Sequence, residues 1–519
     1  MKRAALAALA LCAAPQGAHA AGSSRAPARS GSVAAAPDEV RALVAQGLDM
    51  GETIVDGRIA VVVHSVADAR ALRAAGLRFR PAPTAHAAAR PTLPSGRTDY
   101  RDLDDYYAGL AQMVTQHGSM ARLVTIGRSV QGRPIQGVEI AAHVRRRPDG
   151  RPTHVELGLH HAREWSSGEV VMEYGLDLLK GYGKDPRITR LLRRERTFLF
   201  PVINPDGFQI SRTTVPLQRK NAAGVDLNRN YGAFWGGPGA SDSPASDLYR
   251  GPAPFSEPES QAVRDWSVAH QVILINSNHN YAGDVLYQPG FARADEPGLP
   301  MGSTLPESGA FAHVAQRMAA AAGYVAMPAY GLYDATGATE DFNYFAQGAF
   351  GYTTEVGYDD FQPDFQDGVV DQYLGTADGP MDLGRPTSRG LRESFLRAGE
   401  AAIAKSSHGT IVGRAPAGAR LTISKDVQLS TSYLLTATDT PLQTAGDASP
   451  FPVHLTSTLR VPKSGHYTWA VNPSTPPLTA LAGGTAAWTL TCGRERRAIT
   501  VGLGQTVRAN LRCGPARRT

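Results

Sequence analysis

The chain has 519 residues, 42% hydrophobic and 19% charged, which is ample material for a buried core and excludes a disordered, solvating polypeptide. Its 53 basic and 47 acidic residues leave a net charge of +6, small for this length. The one tight basic run, Arg145-Arg146-Arg147, precedes an Asp149-Gly150 turn signal and reads as a solvated loop, so no nucleic-acid partner is expected.

Lys2 and Arg3, the apolar run Ala4–Ala14 and the small residues of Ala18-His19-Ala20 read as a secretory signal peptide, residues 1–20. The run is too short to cross a bilayer, and no other stretch approaches the roughly 18 apolar residues required, so the expected product is secreted, extracellular and not membrane-inserted. Cys12 leaves with the signal. Cys492 and Cys513 remain, an even pair that reads as a disulfide in a secreted protein. A Gly/Ser/Ala/Pro tract then leads to a predicted helix over Glu39–Met50, a strand over Ile59–Val63, a helix over Val66–Ala75 capped by Ser65, and a strand over Leu77–Phe79. This α/β unit is small enough to be marginal alone. A Pro/Ala-rich linker, Pro81–Thr98, follows it and contains Arg90 and Arg97.

A helix is predicted over Asp102–His117, with Leu103, Tyr106, Leu110, Met113 and Val114 on one face. Strand-like runs recur at Leu123–Ile126, Gly137–Ile140, His154–Leu159, Phe198–Ile203, Gln271–Ile275 and Tyr352–Val356. Helical segments such as Glu169–Lys180 and Ser308–Ala322 lie between them, and a last helix covers Leu391–Ala404. This alternation predicts an α/β fold with a mixed, mostly parallel sheet flanked by helices, residues 98–406. From about Gly409 the pattern changes to period two: Leu421 and Ile423; Tyr467, Trp469 and Val471; Trp488, Leu490 and Cys492; Ile499, Val501 and Leu503. Residues 409–519 therefore read as an all-β sandwich, with a disulfide worth ~3 kcal/mol on the chain-entropy model. No catalytic constellation appears in it, and its expected role is to bind a partner or surface of unknown kind.

The most informative stretch is Gly158-Leu159-His160-His161-Ala162-Arg163-Glu164-Trp165, at the end of a strand-like run. A His and a Glu at i and i+3 on a helical turn share a face, and together they can ligate a metal. Alone the motif is weak, and a strand-end surface ion pair explains it equally well. Other segments answer it: Asn204-Pro205-Asp206-Gly207-Phe208; Leu217-Gln218-Arg219-Lys220-Asn221; Gly224-Val225-Asp226-Leu227-Asn228-Arg229-Asn230-Tyr231; Pro254-Phe255-Ser256-Glu257-Pro258-Glu259; Ile273–Tyr281, an apolar strand reaching His279; Gly331-Leu332-Tyr333-Asp334-Ala335-Thr336-Gly337; and Gly351-Tyr352-Thr353-Thr354-Glu355-Val356-Gly357. In order and spacing, from about Tyr100 to about Ala404, they resemble the zinc metallocarboxypeptidases of the carboxypeptidase A/B type.

The resemblance implies one Zn²⁺ per chain held by His161, Glu164 and His279, a His2Glu set that leaves a fourth position for water. His160 reads as structural. The resemblance also implies Glu355 as the proton-transferring carboxylate, Arg219 as the oxyanion-stabilising cation, and Asn228 with Arg229 as the grip on a terminal carboxylate, with Arg163 assisting from the side. Tyr333 would close over the substrate. Glu340 would form the floor of the side-chain pocket and favour C-terminal Lys or Arg, and Asp341 reads as structural. The substrates implied are peptide or protein C-termini, and residues 21–97 are implied to be a removable pro-segment; a permanent small domain is the alternative. Two other readings stay open: a related zinc amide hydrolase acting on cell-wall peptides or acylated amino acids, and a catalytically inactive binding homologue.

Overall fold

The computed structural model describes residues 29–36, 48–55, 58–63, 66–81, 92–145, 149–291, 305–358, 360–376, 388–436 and 448–514, with a few isolated positions between them. The predicted signal peptide with Cys12, half of the predicted Glu39–Met50 helix, Ser65 and the linker around Arg90 lie outside the described residues. The chain divides into two compact units, residues 1–88 and 89–519.

The first unit contains β1 (Arg29–Val33), β2 (Asp49–Val55), β3 (Arg58–Val63), helix α1 (Val66–Ala74) and the short β4 (Arg80–Pro81), in sheet order β2-β3-β1-β4. Val33, Ile59, Val61 and Leu72 are among its buried core residues. Two expectations are corrected here. Asp49 and Met50 end no helix; they pair with Val62 and Val61 of β3. Leu77–Phe79 is not a strand, because pairing begins only at Arg80, opposite Ser32. The second difference follows from β1, whose Ser/Gly-rich sequence looks like a loose tract but supplies the strand that Arg80 and Pro81 pair with.

In the second unit, helix α2 (Leu103–Gln116) starts where the Asp102 side chain accepts from Asp105 N at 2.8 Å, and it buries Leu103, Tyr106, Leu110 and Met113. The sheet that follows comprises β5 (Ala121–Arg128), β6 (Pro134–Ile140), β7 (Thr153–Leu157), β8 (Arg196–Phe200), β9 (Val272–His279), β10 (Asp284–Tyr287), β11 (Val325–Pro328) and β12 (Phe350–Glu355). Its order is β11-β10-β12-β9-β7-β8-β6-β5. The pairs β10–β11, β12–β9, β9–β7 and β7–β8 are parallel; the others are antiparallel. The expected mixed, mostly parallel sheet is thus present. Flanking helices include α3 (Trp165–Gly181), α4 (Pro186–Arg194), α5 (Pro205–Thr213), α6 (Pro258–Val268), α7 (Ser308–Ala322), α8 (Thr339–Gln347) and α9 (Gly390–Ala402).

Every residue of β9 is buried. Its first half, Val272-Ile273-Leu274-Ile275, is apolar as a strand covered on both faces should be. Its second half, Asn276-Ser277-Asn278-His279, is polar and equally buried, so each of those groups needs a partner. That demand falls where the carboxyl ends of β7, β9 and β12 converge, the usual place for a ligand site in such sheets. The C-terminal part forms two further sheets, β16-β13-β19 and β15-β14-β17-β18, from β13 (Gly409–Arg414), β14 (Arg420–Ser430), β15 (Pro450–Arg460), β16 (His466–Val471), β17 (Trp488–Cys492), β18 (Glu495–Ile499) and β19 (Thr506–Arg508). Burial alternates along β14 and β15, matching the period-two reading, and the expected Cys492–Cys513 disulfide is formed.

Candidate active site

His161 and Glu164 stand on the turn between β7 and α3. Leu159 holds a positive φ of 51° and its N–H is taken by Ser167 Oγ at 3.0 Å, which turns the chain out of the strand. Glu164 then occupies the position just before the first turn of α3. His279 ends β9, and Glu355 ends β12 directly beside it in the parallel register.

The three expected ligands converge. His161 Nδ1 lies 2.8 Å from Glu164 Oε1, and His279 Nδ1 lies 3.0 Å both from His161 Nδ1 and from Glu164 Oε2. His161 Nε2 faces Asp226 Oδ1 at 3.0 Å. An ionised carboxylate only accepts, so this nitrogen carries the proton and Nδ1 turns a bare lone pair toward the cluster. His279 Nε2 meets Ser277 Oγ at 3.0 Å. Two imidazole nitrogens and a carboxylate, aimed at one point with their outer nitrogens held, fit a zinc ion. His160 is held instead by Tyr231 and Ser277, at 2.9 and 3.0 Å, as its structural reading requires.

The surrounding charges are arranged in order. Burial would raise the Asp226 carboxyl, but Arg219 and His161 outweigh it and hold it well below the usual range. Arg219 donates to Asp226 Oδ2 at 2.8 and 3.0 Å, and its Nη1 lies 4.0 Å from Glu164 Oε1. Burial, reinforced by the Glu164 charge, pushes the Glu355 carboxyl well above its ordinary value, against the pull of Arg219.

His161, Asn228, Arg229, His279, Tyr333, Glu340 and Glu355 line one cavity. Arg229 is 1% exposed; Nε donates to Gly239 O at 2.7 Å and Nη1 to Asn228 O at 2.8 Å, while Nη2 has no hydrogen-bond partner among the described residues. Asn228 Oδ1 accepts from Thr339 N and Oγ1, both at 3.0 Å, which leaves its NH₂ group for a ligand. Glu340 is 3% exposed and its Oε2 is also without a hydrogen-bond partner among the described residues. Its neighbour Asp341 accepts from Gly290 N at 3.1 Å. Tyr333 is 51% exposed at the mouth, 5.9 Å from the Arg229 guanidinium. Arg163 does not line this cavity; it stacks 4.0 Å over Phe361 and reaches Asp247 at 3.3 Å. Asp226, which couples His161 to Arg219, was given no role by the sequence, although it stands in the Gly224–Tyr231 motif.

Residues 106–367 match the family described as zinc carboxypeptidase. The chain belongs to this family. Among curated proteins it is 33% identical to carboxypeptidase A2 of Rattus norvegicus over 201 residues, 37% of this chain and 47% of that protein. It is 30% identical to the inactive metallocarboxypeptidase ECM14 of Arthroderma otae over 218 residues, 38% of this chain and 36% of that one. The chain thus spans about half the length of the first curated relatives it matches. Among solved structures, carboxypeptidase A of Helicoverpa armigera has a TM-score of 0.49 at 21% identity, over 72% of this chain and 97% of that one.

Proposed function

We propose that this protein is a secreted zinc carboxypeptidase that removes the C-terminal residue of peptides, with Lys and Arg favoured at that position. The observation that carries the reading is the cavity that joins the ligand cluster and Glu355 to a guanidinium nitrogen of Arg229 and a carboxylate oxygen of Glu340, both without a hydrogen-bond partner among the described residues. A terminal carboxylate would satisfy the first and a basic side chain the second. Arg219 together with Asn228 and Arg229 favours ordinary peptides over the amide-hydrolase alternative, and the intact ligand set with Glu355 disfavours the inactive one.

His161, Glu164 and His279 would hold the zinc, which would supply Lewis-acid polarisation and a lowered water pKa at this site. Glu355 takes the proton of the attacking water and passes it to the departing amine, a role suited to a carboxyl whose burial favours the protonated form. Arg219, fixed by Asp226, stabilises the developing oxyanion. Asn228 and Arg229 fix the substrate's carboxylate, and Tyr333 closes the mouth. The pro-segment lies within residues 21–97. Leu93 is buried and Ser95 N donates to Glu173 at 2.8 Å, so the cut falls on the Arg90 side of the linker, not at Arg97.

Hydrolysis of one peptide with a free C-terminus and of its C-terminal amide tests the reading. The free acid should be cleaved at least about a hundredfold faster in kcat/KM, because the amide leaves Arg229 without a charged partner. Equal rates would remove the exopeptidase assignment.

A further inference from the structure

One of the contacts between the C-terminal region and the catalytic part leads directly to Arg229. After β14 the chain runs from Ser430 to Leu435 along the loop Gly232–Gly239. Phe234 N donates to Ser430 O at 3.0 Å, Ser432 N to Trp235 O at 3.2 Å and Leu435 N to Gly236 O at 3.0 Å. Arg250 Nη1 donates to Leu435 O at 2.7 Å, and Trp235 Nε1 to Arg250 O at 3.0 Å. The contact is too close for side chains on the loop. A Cβ on Gly236 would lie 2.5 Å from Leu434 Cδ2, one on Gly237 2.6 Å from Ser432 Oγ, and one on Gly232 2.4 Å from the Phe451 ring.

The far end of this loop holds the guanidinium. Gly239, at φ +73°, accepts from Arg229 Nε at 2.7 Å, and a Cβ there would collide with Asp334 O. The carbonyl of Pro238 accepts from Thr336 Oγ1 at 2.9 Å, and Tyr231 N and Gly337 N cross-link the two loops at 2.9 and 3.2 Å. The Gly239 carbonyl therefore sets the plane of the Arg229 fork, and the loop that carries this carbonyl is clamped by Ser430–Leu435.

We propose that the C-terminal β region is part of the substrate-binding machinery: its Ser430–Leu435 segment, with Phe451, holds the loop Gly232–Gly239 so that Gly239 aims Arg229 at the substrate's terminal carboxylate. Ser432, Leu435 and Phe451 are positioning residues. The inference rests on the carboxypeptidase reading above. It gives residues 409–519 a role inside the enzyme and requires no external partner. A misaligned fork would weaken binding of the carboxylate while leaving the ligand cluster and Glu355 in place.

The test uses the full-length zinc-loaded protein with Ser432→Pro, which deletes the bond to Trp235 O, and with the gentler series Phe451→Leu and Phe451→Ala. Displacements of this kind act at a distance by roughly ten- to a hundredfold. KM for a free-acid peptide should rise by about tenfold or more in Ser432→Pro and Phe451→Ala, with kcat within about threefold and zinc content unchanged. The preference for free acid over amide should shrink by the same factor. Phe451→Leu should recover most of the wild-type KM. In an Arg229→Gln background the C-terminal substitutions should add little, because both act through one group. Should Ser432→Pro not fold, the Phe451 series decides alone. Unchanged KM and unchanged acid-to-amide preference, with only thermal stability reduced, would overturn the inference. A wild type that does not distinguish acid from amide would instead remove the reading beneath it.

Discussion

Asp226 accepts from both His161 and Arg219 within one buried cluster, so a single carboxylate orients a ligand and a cation. Asp226→Asn replaces an acceptor by an amide that can present NH₂ to His161. Outer partners of ligating histidines are typically worth 10–100-fold in metal affinity. Zinc affinity, measured by competition with a chelator, should fall by about that factor; an unchanged affinity would separate Asp226 from His161. Glu340 supports a second expectation. Its unpartnered, buried oxygen makes a basic C-terminal side chain the natural occupant, since a committed buried charge gains most from a partner. Glu340→Leu should lower the Lys-to-Leu ratio of kcat/KM by roughly tenfold or more and relieve rejection of C-terminal Glu. A ratio that does not move would place Glu340 outside the pocket's chemistry. The residues of the site were largely legible in the sequence because each stands in its own motif. Asp226 lacked a role because its importance lies in two contacts made across the fold.

Below the site, β7 and β9 are tied by polar side chains on the other face of the sheet. Glu156 accepts from Asn276 and Asn278 Nδ2 at 2.7 and 3.0 Å, and meets His154 Nε2 at 2.9 Å. Glu195 lies 3.8 Å from His154 Nδ1. Burial works against charging His154, but the two glutamates outweigh it and push its pKa up to about 9. The folded value lies above the ordinary value of 6.5, so the stabilisation is fully present below pH 6.5 and is lost as pH rises through 9. At 1.36 kcal/mol per unit the loss is about 3 kcal/mol. Urea unfolding across that window should show the stability advantage of wild type over His154→Gln shrinking as pH rises; Lys425, whose pKa burial pushes down to about 7, adds the same rise to both profiles. Parallel profiles for the two proteins would assign the titration elsewhere. Among the elements, long periodic helices such as α2 and α7 were readable, as were β7 and the apolar half of β9. The strands β10 and β11 have four residues each, too few to show a period. Helices α4 and α5 did carry a signal, Asp185-Pro186 and Asn204-Pro205, an N-cap followed by Pro at N1.

At the scale of the molecule, the order of motifs and the change from helical to period-two patterning near Gly409 were sufficient for the catalytic fold and the β region. What they could not convey is the joint between the two. The Ser430–Leu435 clamp consists of backbone hydrogen bonds between segments far apart in sequence, and backbone groups carry no residue identity. The glycines at 232, 236 and 237 mark the close approach without naming what approaches. The same separation of chemistry from scaffold makes the central claim testable with one substitution. In the proposed mechanism Glu355 carries the proton without belonging to the ligand cluster, and general acid–base groups contribute about 10²–10⁴-fold. Zinc content and release of the C-terminal residue from a Lys-ending peptide should be measured together for wild type and Glu355→Gln. The expected result is one zinc per chain in both proteins, with kcat reduced at least about a hundredfold in the variant. A zinc-loaded Glu355→Gln protein within about threefold of wild type, or a wild type that releases the residue equally well after chelation, would contradict the account.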